Sequence, residues 1–476
     1  MNEIIKNKLD KYKLIETHEF SHNGINIVLD VNQSNFYDVN ETIVDIVKYK
    51  KKIIDKYATL EKKFTESEIE SAITNLVEAK FLVDDIPEYE EIKIPKQKEV
   101  VNLVMNISQD CNLRCRYCFA STGHYKGERA FMEEEIAKKT LDWFVNQAVE
   151  SKTLNLHLFG GEPLMNVDLV KFIVYYSKNI EEKFDKKIYI NICTNGTILN
   201  DELLKLIKDN EIGMQISIDG PPEIHDKYRP TSDGGSSYKL IKENLGKLFE
   251  ALNVNSIIPR ATISPNDIEI NKVVEHLLDI GFKSVFFIPA MGCNNFSIKL
   301  EDVDKVKEEY NLLTKKFIDH IREEKQYNVF PLITEIDAVG KGIRRIYGCG
   351  AGIGFASVDI HGDIYPCMRF TNRTEYRLGT VENGFDISQR EKFFNRTVYN
   401  REKCKDCWAR FLCGGACISI PTESGKNLEA YAEETCEVSK HIAKLSMYIN
   451  AVLNREGLKF DKSQLEVNDF MRRRFQ

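Results

Sequence analysis

The chain has 476 residues, of which 42% are hydrophobic and 29% are charged, so it has enough apolar material for several buried cores. Its 66 basic and 73 acidic residues are spread along the whole chain and give a net charge of -7, which argues against nucleic acid as the main ligand. The first residues lack the apolar stretch of a secretory signal, and no apolar run reaches the roughly 20 residues that cross a bilayer. We therefore expect a cytoplasmic protein that does not enter a membrane.

Residues 1–95 are predicted to form a small domain. Alternating apolar and polar residues over positions 18–40 predict a meander of two or three strands, and helical periodicity follows it. Thr65 and Glu68 have the form of a capping box at the start of one helix. Short strands and three helices predict a compact winged-helix-like unit, which a charged linker over residues 84–99 connects to the rest. The alternatives are a plain structural cap and a DNA-binding winged helix, and the absence of a basic face disfavours the second.

Residues 96–335 have the pattern of a parallel α/β domain. Six β-rich runs alternate with amphipathic stretches of helical period, which predicts a parallel sheet covered by helices, a partial (β/α)6 TIM-like barrel. In such barrels the chemistry takes place at the carboxyl ends of the strands. The six runs begin at residues 101, 153, 187, 213, 256 and 283.

Residues 336–455 are rich in glycine and cysteine, and residues 456–476 are predicted to be a C-terminal tail. Ten of the 12 cysteines fall into two groups, and in a reducing compartment metal ligands or catalytic thiols are more natural than disulfides. Cys193 and Cys293 stand outside both groups. Each ends an apolar run, so we expect inert, buried thiols there.

The first group, CNLRCRYC, places Cys111, Cys115 and Cys118 directly after the first strand. Three thiolates in so tight a loop can hold three irons of a 4Fe-4S cubane and leave the fourth iron open to a small molecule. A zinc site or three buried thiols are the alternatives. They are disfavoured because zinc usually takes four ligands in paired spacing, and no fourth cysteine follows closely.

With an aromatic residue beside its last cysteine, this C-x3-C-x2-C loop resembles the signature of the radical S-adenosylmethionine (SAM) superfamily. The resemblance implies that the three cysteines hold a catalytic cluster, whose open iron binds the amino and carboxylate groups of SAM. It also implies that the Gly-Gly-Glu-Pro turn after the second strand contacts SAM, and that polar residues at later strand ends hold its ribose and carboxylate. An ordinary tight turn and packed strand ends are the alternatives. The residues expected to bind SAM are Phe119, Gly160, Gly161, Glu162, Pro163, Thr194, Asn195, Ser217, Asp219 and Arg229.

The seven later cysteines have the spacing C-x17-C, then C-x2-C-x5-C-x3-C, then one more cysteine. This arrangement resembles the SPASM extension of radical SAM peptide-modifying enzymes, which implies two auxiliary clusters and a total of three 4Fe-4S clusters. Two structural zinc sites are the alternative. By the resemblance, one auxiliary cluster has three ligands and an open iron, and the other is fully ligated. The two ligand sets are Cys349, Cys367 and Cys417, and Cys404, Cys407, Cys413 and Cys436.

Residues 118–132, the later cysteines and the N-terminal domain together resemble the maturases of six-cysteine (SCIFF) peptides, or ranthipeptide synthases. The resemblance implies that a 5'-deoxyadenosyl radical abstracts hydrogen from a ribosomal precursor peptide and that a cysteine sulfur is then joined to carbon as a thioether. It implies as partners a leader peptide bound by the N-terminal domain, and an electron donor such as flavodoxin or ferredoxin.

Three other functions remain open. Formylglycine formation is one. The relatives that perform it carry an aspartate directly after the cysteine that corresponds to Cys367, whereas this chain has Met368 there. Carbon–carbon cross-linking of a peptide is the second. The third is a non-enzymatic iron–sulfur electron carrier or zinc scaffold, which would have no need for an open three-cysteine site or the Gly-Gly-Glu-Pro turn.

Overall fold

The structure, a computed structural model, describes residues 2–93, 98–292 and 295–458. Of the two or three strands predicted for the N-terminal meander, the structure has three; three helices follow the meander and one helix precedes it. The elements are α1 (Asn2–Lys11), β1 (Lys13–Leu14), β2 (Thr17–His22), β3 (Ile25–Asp30), β4 (Phe36–Val39), α2 (Glu41–Lys50), α3 (Tyr57–Lys63), α4 (Glu66–Glu78) and β5 (Leu82–Val83).

The central part alternates strands and helices, and all six predicted strands are confirmed. Its first half consists of β6 (Asn102–Ser108), α5 (Glu134–Gln147), β7 (Thr153–Gly160), α6 (Val167–Phe184), β8 (Lys187–Thr194), α7 (Asp201–Asp209) and β9 (Gly213–Ser217). Its second half consists of α8 (Pro222–Tyr228), α9 (Ser237–Ala251), β10 (Ile257–Ile263), α10 (Ile270–Asp279), β11 (Val285–Pro289), α11 (Val303–Arg322), β12 (Val329–Phe330) and α12 (Leu332–Gly340).

The C-terminal part has short strands, short helices and one long final helix. Its elements are β13 (Phe355–Val358), β14 (Asp363–Tyr365), β15 (Gly379–Thr380), β16 (Gly384–Phe385), α13 (Ile387–Phe394), α14 (Glu402–Lys405), α15 (Arg410–Cys413), α16 (Ser419–Glu423) and α17 (Glu433–Glu456). Short 3-10 helices lie at Pro163–Asn166, Val254–Ser256, Pro265–Asp267, Leu300–Asp302, Met368–Phe370 and Thr374–Tyr376. The predicted tail lies outside the described residues from position 459 onward.

One mixed sheet of 11 strands runs through the central and C-terminal parts. From β6 to β12 the strands are parallel and stand in chain order, the order that a (β/α) barrel requires. The sheet extends further than the six predicted strands, because β13 joins β6 in parallel and β14, β15 and β16 follow as antiparallel hairpins. The segment with the later cysteines is therefore continuous with the sheet that positions the first three.

The N-terminal meander contributes side chains both to the main apolar core and to a separate N-terminal apolar cluster. Ile27 and Leu29 on β3 pack into the main apolar cluster, whereas Val28 between them packs into the N-terminal cluster. This division follows from the alternation of side chains along a strand. The predicted capping box is confirmed, since the Glu68 amide donates to Thr65 Oγ1 and the Thr65 amide donates to Glu68 Oε2. None of the helices in the described ranges is both long and apolar enough to cross a bilayer.

Candidate active site

The first three cysteines share one loop at the carboxyl end of β6. The amide of Leu113 donates to Cys111 Sγ at 3.4 Å, and the amide of Cys118 donates to the Cys115 carbonyl at 3.2 Å. Upstream, the Cys111 amide donates to Asp110 Oδ1 at 2.8 Å. Short local hydrogen bonds therefore set the path of the loop before any ligand is bound.

The three thiols lie within electrostatic range of one another. Burial, then the Glu162 carboxylate and the Cys118 sulfur, raises the pKa of Cys111 to about 11. Burial also raises the pKa of Cys115 to about 12, against the opposing positive charge of Arg229. Iron must therefore displace protons as it binds, because thiolates are the metal ligands.

The two glycines of the Gly-Gly-Glu-Pro turn are required by the approach of the chain to itself. A Cβ at Gly161 would lie 2.1 Å from the Asp110 carbonyl oxygen, and one at Gly160 would lie 2.1 Å from the Ser108 carbonyl oxygen. The amides of Gly161 and Glu162 donate to those same two carbonyl groups at 2.7 and 2.8 Å. The turn is thus packed directly against the segment that leads into Cys111. Only glycine permits the backbones to approach so closely.

Glu162 connects the ends of two strands. Its fully buried carboxylate accepts hydrogen bonds from Thr194 Oγ1 and from the Asn195 amide, both at 2.6 Å, and from the Leu164 amide at 3.0 Å. Asn195 Nδ2 in turn lies 3.8 Å from Cys111 Sγ. Burial raises the pKa of Glu162, and these hydrogen bonds oppose the rise. Three predicted SAM-site residues are therefore brought together at the rim that carries the cysteines.

Tyr117, which the sequence reading did not single out, joins two residues that it did. Its hydroxyl forms a short hydrogen bond with the buried Asp219 carboxylate and accepts one from Arg229 Nη1 at 2.8 Å. The Thr262 amide also donates to Asp219 at 3.0 Å. The signal available in the sequence is the place of Tyr117 directly before Cys118, on the other side of that cysteine from Phe119.

Phe119 lies between the first and the later cysteines. Its ring is 37% exposed and 6.5 Å from the Phe159 ring, and the Arg369 guanidinium lies over it at 5.1 Å. Arg369 is two residues from Cys367. Its Nε and Nη2 form a bidentate pair with Glu423, at 2.7 and 2.8 Å.

The buried Tyr125 lies within electrostatic range of cysteines of both groups. Burial, and then the sulfurs of Cys118, Cys367 and Cys111, raises the pKa of its phenol well above the ordinary value. The same hydroxyl lies 3.4 Å from the Gly160 carbonyl oxygen. Tyr125 therefore lies beside the glycine turn and within electrostatic range of both cysteine groups.

The seven later cysteines divide into two neighbourhoods. Partial removal from water, then the Cys417 sulfur, raises the pKa of Cys349 to about 11, and burial followed by Cys417 and Cys349 raises that of Cys367. Burial, then Cys413, Cys404 and Cys407, raises the pKa of Cys436 to about 12. The members of each implied ligand set are thus electrostatic neighbours in the structure, and their role as ligands stays a prediction.

Two buried arginines stand beside these neighbourhoods. Arg396 and Arg401 line a cavity together with Cys349, Gly414 and Ala416. Burial, then the charge of Arg401, lowers the pKa of Arg396 to about 10, while the sulfur of Cys349 opposes this. The guanidinium therefore keeps its positive charge at neutral pH.

The remaining predicted residues have simpler surroundings. Ser217 is half-buried at the end of β9, and Pro163 is buried at the start of a 3-10 helix. Cys193 is half-buried, less enclosed than predicted, and its thiol donates to Gln215 Oε1 at 3.3 Å. Cys293 lies outside the described residues.

The residues present fit a cluster and SAM. Thiolates are the ligands that iron–sulfur clusters select, and Cys111, Cys115 and Cys118 would hold one at the strand ends. Beside them, the buried Arg229 Nε has no hydrogen-bond partner among the described residues, which suits an anionic group such as a carboxylate. The described part of the chain has no group of three or more histidine, cysteine or acidic side chains arranged to bind a single metal ion.

Comparison with known proteins gives consistent matches. Residues 105–277 match the model of the radical SAM superfamily. The chain is 26% identical over 336 residues to the cysteine-type anaerobic sulfatase-maturating enzyme of Clostridium perfringens (strain 13 / Type A), covering 66% of this chain and 88% of that protein. It is 23% identical over 440 residues to the radical SAM cyclopropyl synthase TigE of Paramaledivibacter caminithermalis, covering 85% of this chain and 88% of TigE.

Among solved structures, native anSMEcpe with bound AdoMet and Cp18Cys peptide has a similar fold. The TM-score is 0.61 at 21% sequence identity, over 75% of this chain and 99% of that one. The matched segment contains the first cysteine loop, the glycine turn and the strand ends described above. The chain therefore carries a radical SAM domain, homologous to those of the anaerobic sulfatase-maturating enzymes and TigE.

Proposed function

We propose that this chain is a peptide maturase that joins a cysteine sulfur to a carbon of a ribosomal precursor peptide. The observation that carries the proposal is the nearness of two three-cysteine sites. The Arg369 guanidinium, two residues after Cys367, lies 5.1 Å from the ring centre of Phe119, which directly follows Cys118. A substrate between these sites would meet a hydrogen-abstracting centre and a thiol-binding centre at once.

When bound, SAM and a cluster on the first cysteines supply a 5'-deoxyadenosyl radical, and a cluster with an open iron on Cys349, Cys367 and Cys417 supplies a place for the substrate sulfur. The chain supplies position. Glu162 holds the ends of β7 and β8 together, and Gly161 sets the turn against the first cysteine loop. We propose that Cys404, Cys407, Cys413 and Cys436 would hold a third, fully ligated cluster, which would supply a path for electrons from a flavodoxin or ferredoxin in the cytoplasm.

The bond changes balance when one electron enters to cleave SAM and one electron leaves as the new bond forms. Joining an S–H and a C–H into an S–C bond removes two hydrogen atoms. The adenosyl radical takes one of them, and the other leaves as a proton and an electron, so the site must provide an electron acceptor close to the new bond.

Formylglycine formation requires a base, and the residues near Cys367 do not offer a free carboxylate for this role in the part of the chain that the structure describes. The position after Cys367 holds Met368, at the start of a 3-10 helix. Glu423, the carboxylate that pairs with Arg369 two positions after Cys367, has both oxygens in that bidentate contact. A carboxylate held by a guanidinium in this way is a weak base.

We propose that the leader peptide adds a strand to β4, which is an edge of the three-stranded sheet. Tyr37 on this strand is 44% exposed and offers an aromatic contact. The opposite edge strand, β2, has its Thr17 carbonyl occupied by Lys51 Nζ at 2.7 Å.

The test is anaerobic turnover of the reconstituted full chain with SAM, a reductant and a cysteine-rich peptide encoded beside its gene. We expect 5'-deoxyadenosine, and a product that loses two hydrogen atoms and one alkylatable thiol per link in mass spectrometry. The variant with Cys111, Cys115 and Cys118 all replaced by alanine should release no nucleoside and keep the other two clusters, whereas Cys193→Ala should retain full turnover. A product with an aldehyde and no thioether would contradict the proposal.

A further inference from the structure

Two arginines are buried between the two later cysteine neighbourhoods. Arg396 is 6% exposed and Arg401 is 3% exposed. Arg396 lies in the field of Cys349 and Cys417, and both arginines act on Cys404. The pair therefore stands between the two proposed auxiliary clusters.

Neither guanidinium has a carboxylate within ion-pair distance among the described residues. Arg396 Nε donates to the Leu428 carbonyl at 2.8 Å, and Arg401 donates to the carbonyls of Gly415 and Ala430. The exposed Glu429 acts on Arg396 only through its longer-range field.

Two other arginines of the same segment, the half-buried Arg369 and the buried Arg410, are paired. Arg369 has Glu423, and Arg410 has Glu16, each in a bidentate contact. A buried cation is costly unless an anion compensates it, so the unpaired state of the other two demands an explanation.

Each of the two unpaired arginines also has one unsatisfied N–H. Arg396 Nη2 and Arg401 Nε are buried and lack a hydrogen-bond partner in the described ranges. Both side chains line the cavity into which Cys349 opens. Two donors and two positive charges are thus available to an anion bound beside that thiol.

We propose that Arg396 and Arg401 compensate the negative charge of the iron–sulfur cluster held by Cys349, Cys367 and Cys417, donate to its sulfur atoms, and thereby raise its reduction potential. The inference deepens the proposed function and rests on it for the identity of the cluster. Net charge and hydrogen bonds to sulfur are the quantities that set such potentials. In a buried site, two fixed positive charges favour the reduced, more negative state.

The consequence concerns the electron released when sulfur and carbon join. A cluster that the arginines make easier to reduce is the better acceptor for that electron. Arg396 and Arg401 would then be positioning residues that act on the reaction through the cluster.

The experiment is an EPR-monitored redox titration of the full chain that carries alanine at Cys111, Cys115 and Cys118, so that only auxiliary clusters contribute. Cys349→Ala in this background identifies the signal of the proposed cluster by its loss. Arg396→Gln keeps a donor for the Leu428 carbonyl and removes the charge. We expect it to lower the equilibrium constant for reduction of that cluster at least tenfold, which is 59 mV for a one-electron couple.

Two further variants separate charge from shape. Arg396→Lys keeps the charge and should shift the potential less than Arg396→Gln does. Arg377→Gln removes an exposed arginine that pairs with Asp363, and it should leave the potential unchanged. If Arg396→Gln loses the signal altogether, Arg396→Lys decides, because a signal restored at or near the parent potential supports compensation of charge and a signal still missing contradicts it.

An unchanged potential in Arg396→Gln, with the cluster present, would overturn the inference and leave thioether formation intact. A parent protein without any Cys349-dependent signal would instead remove the cluster assignment on which both proposals stand.

Discussion

The imidazole of His18 and the indole of Trp408 lie face to face, with ring centroids 3.9 Å apart and planes 4° apart. His18 belongs to β2 of the N-terminal sheet, whereas Trp408 directly follows Cys407. Lys444 Nζ lies 5.5 Å from the centre of the Trp408 ring. The N-terminal sheet is thus in contact with the segment that carries Cys404, Cys407 and Cys413.

This stack should make stability depend on pH. Burial, then the charges of Lys444 and two further lysines, lowers the pKa of His18 to about 4 from its ordinary value of 6.5. Between these two pH values His18 is protonated in the unfolded chain and neutral in the folded chain. The free energy of unfolding therefore falls as the pH drops through this window. His18→Phe keeps a stacking ring and removes the titration. Chemical denaturation at about pH 7 and about pH 5 should show a smaller loss for the variant, and equal losses would refute this role of His18.

The ion pair between Glu16 and Arg410 should stabilise the same interface. Arg410 is 7% exposed, and it also donates to Asn32 Oδ1 at 2.8 Å. Glu16→Gln leaves a buried guanidinium with weaker partners, and we expect a loss of about 2 kcal/mol in the free energy of unfolding. Asp85→Asn, which breaks the exposed pair with Lys13, should cost much less. Similar urea midpoints for the two variants would show that the Glu16 contact adds nothing.

Gly161→Ala should disable the SAM site. The added Cβ would lie 2.1 Å from the Asp110 carbonyl oxygen, so the segment that leads into Cys111 must move. We expect at least a tenfold loss of 5'-deoxyadenosine formation, measured by chromatography at equal protein concentration. Gly246→Ala is the matched control, because nothing lies within 4 Å of its added Cβ, and in helix α9 it should stabilise by up to about 1 kcal/mol. Normal nucleoside formation by Gly161→Ala would rule out the tight fit of the turn.

Tyr117→Phe should weaken the buried network at the SAM site. It removes the hydroxyl that joins Asp219 to Arg229 and leaves both groups short of a partner. We expect a loss of about 2 kcal/mol in the free energy of unfolding, together with weaker SAM binding in equilibrium dialysis. In Tyr175→Phe, where the side chain is 59% exposed, both quantities should stay near the wild-type values. A Tyr117→Phe protein with wild-type stability and affinity would place the hydroxyl outside the site.

The elements were largely readable from local pattern, and their pairing was not. Alternation and helical periodicity predicted the meander and the six parallel strands, because they report which side of an element is buried. The sequence did not predict helix α1, because the helix is rich in charged residues and, of its described side chains, only Ile5 and Leu9 are buried. The pairing of β13 with β6 was not predicted, since periodicity does not say which strand lies beside which.

The sequence alone determined the first cysteine site, because Cys111, Cys115 and Cys118 are close along the chain and a short loop keeps them together. It also placed Gly160, Gly161 and the polar strand ends on one rim, since parallel strands end at the same edge of a sheet. Only the tertiary structure decided what distant segments bring to that rim. Tyr117 between Asp219 and Arg229, and the unpaired Arg396 beside Cys349, arise from contacts between separate loops, whose distances no local spacing encodes.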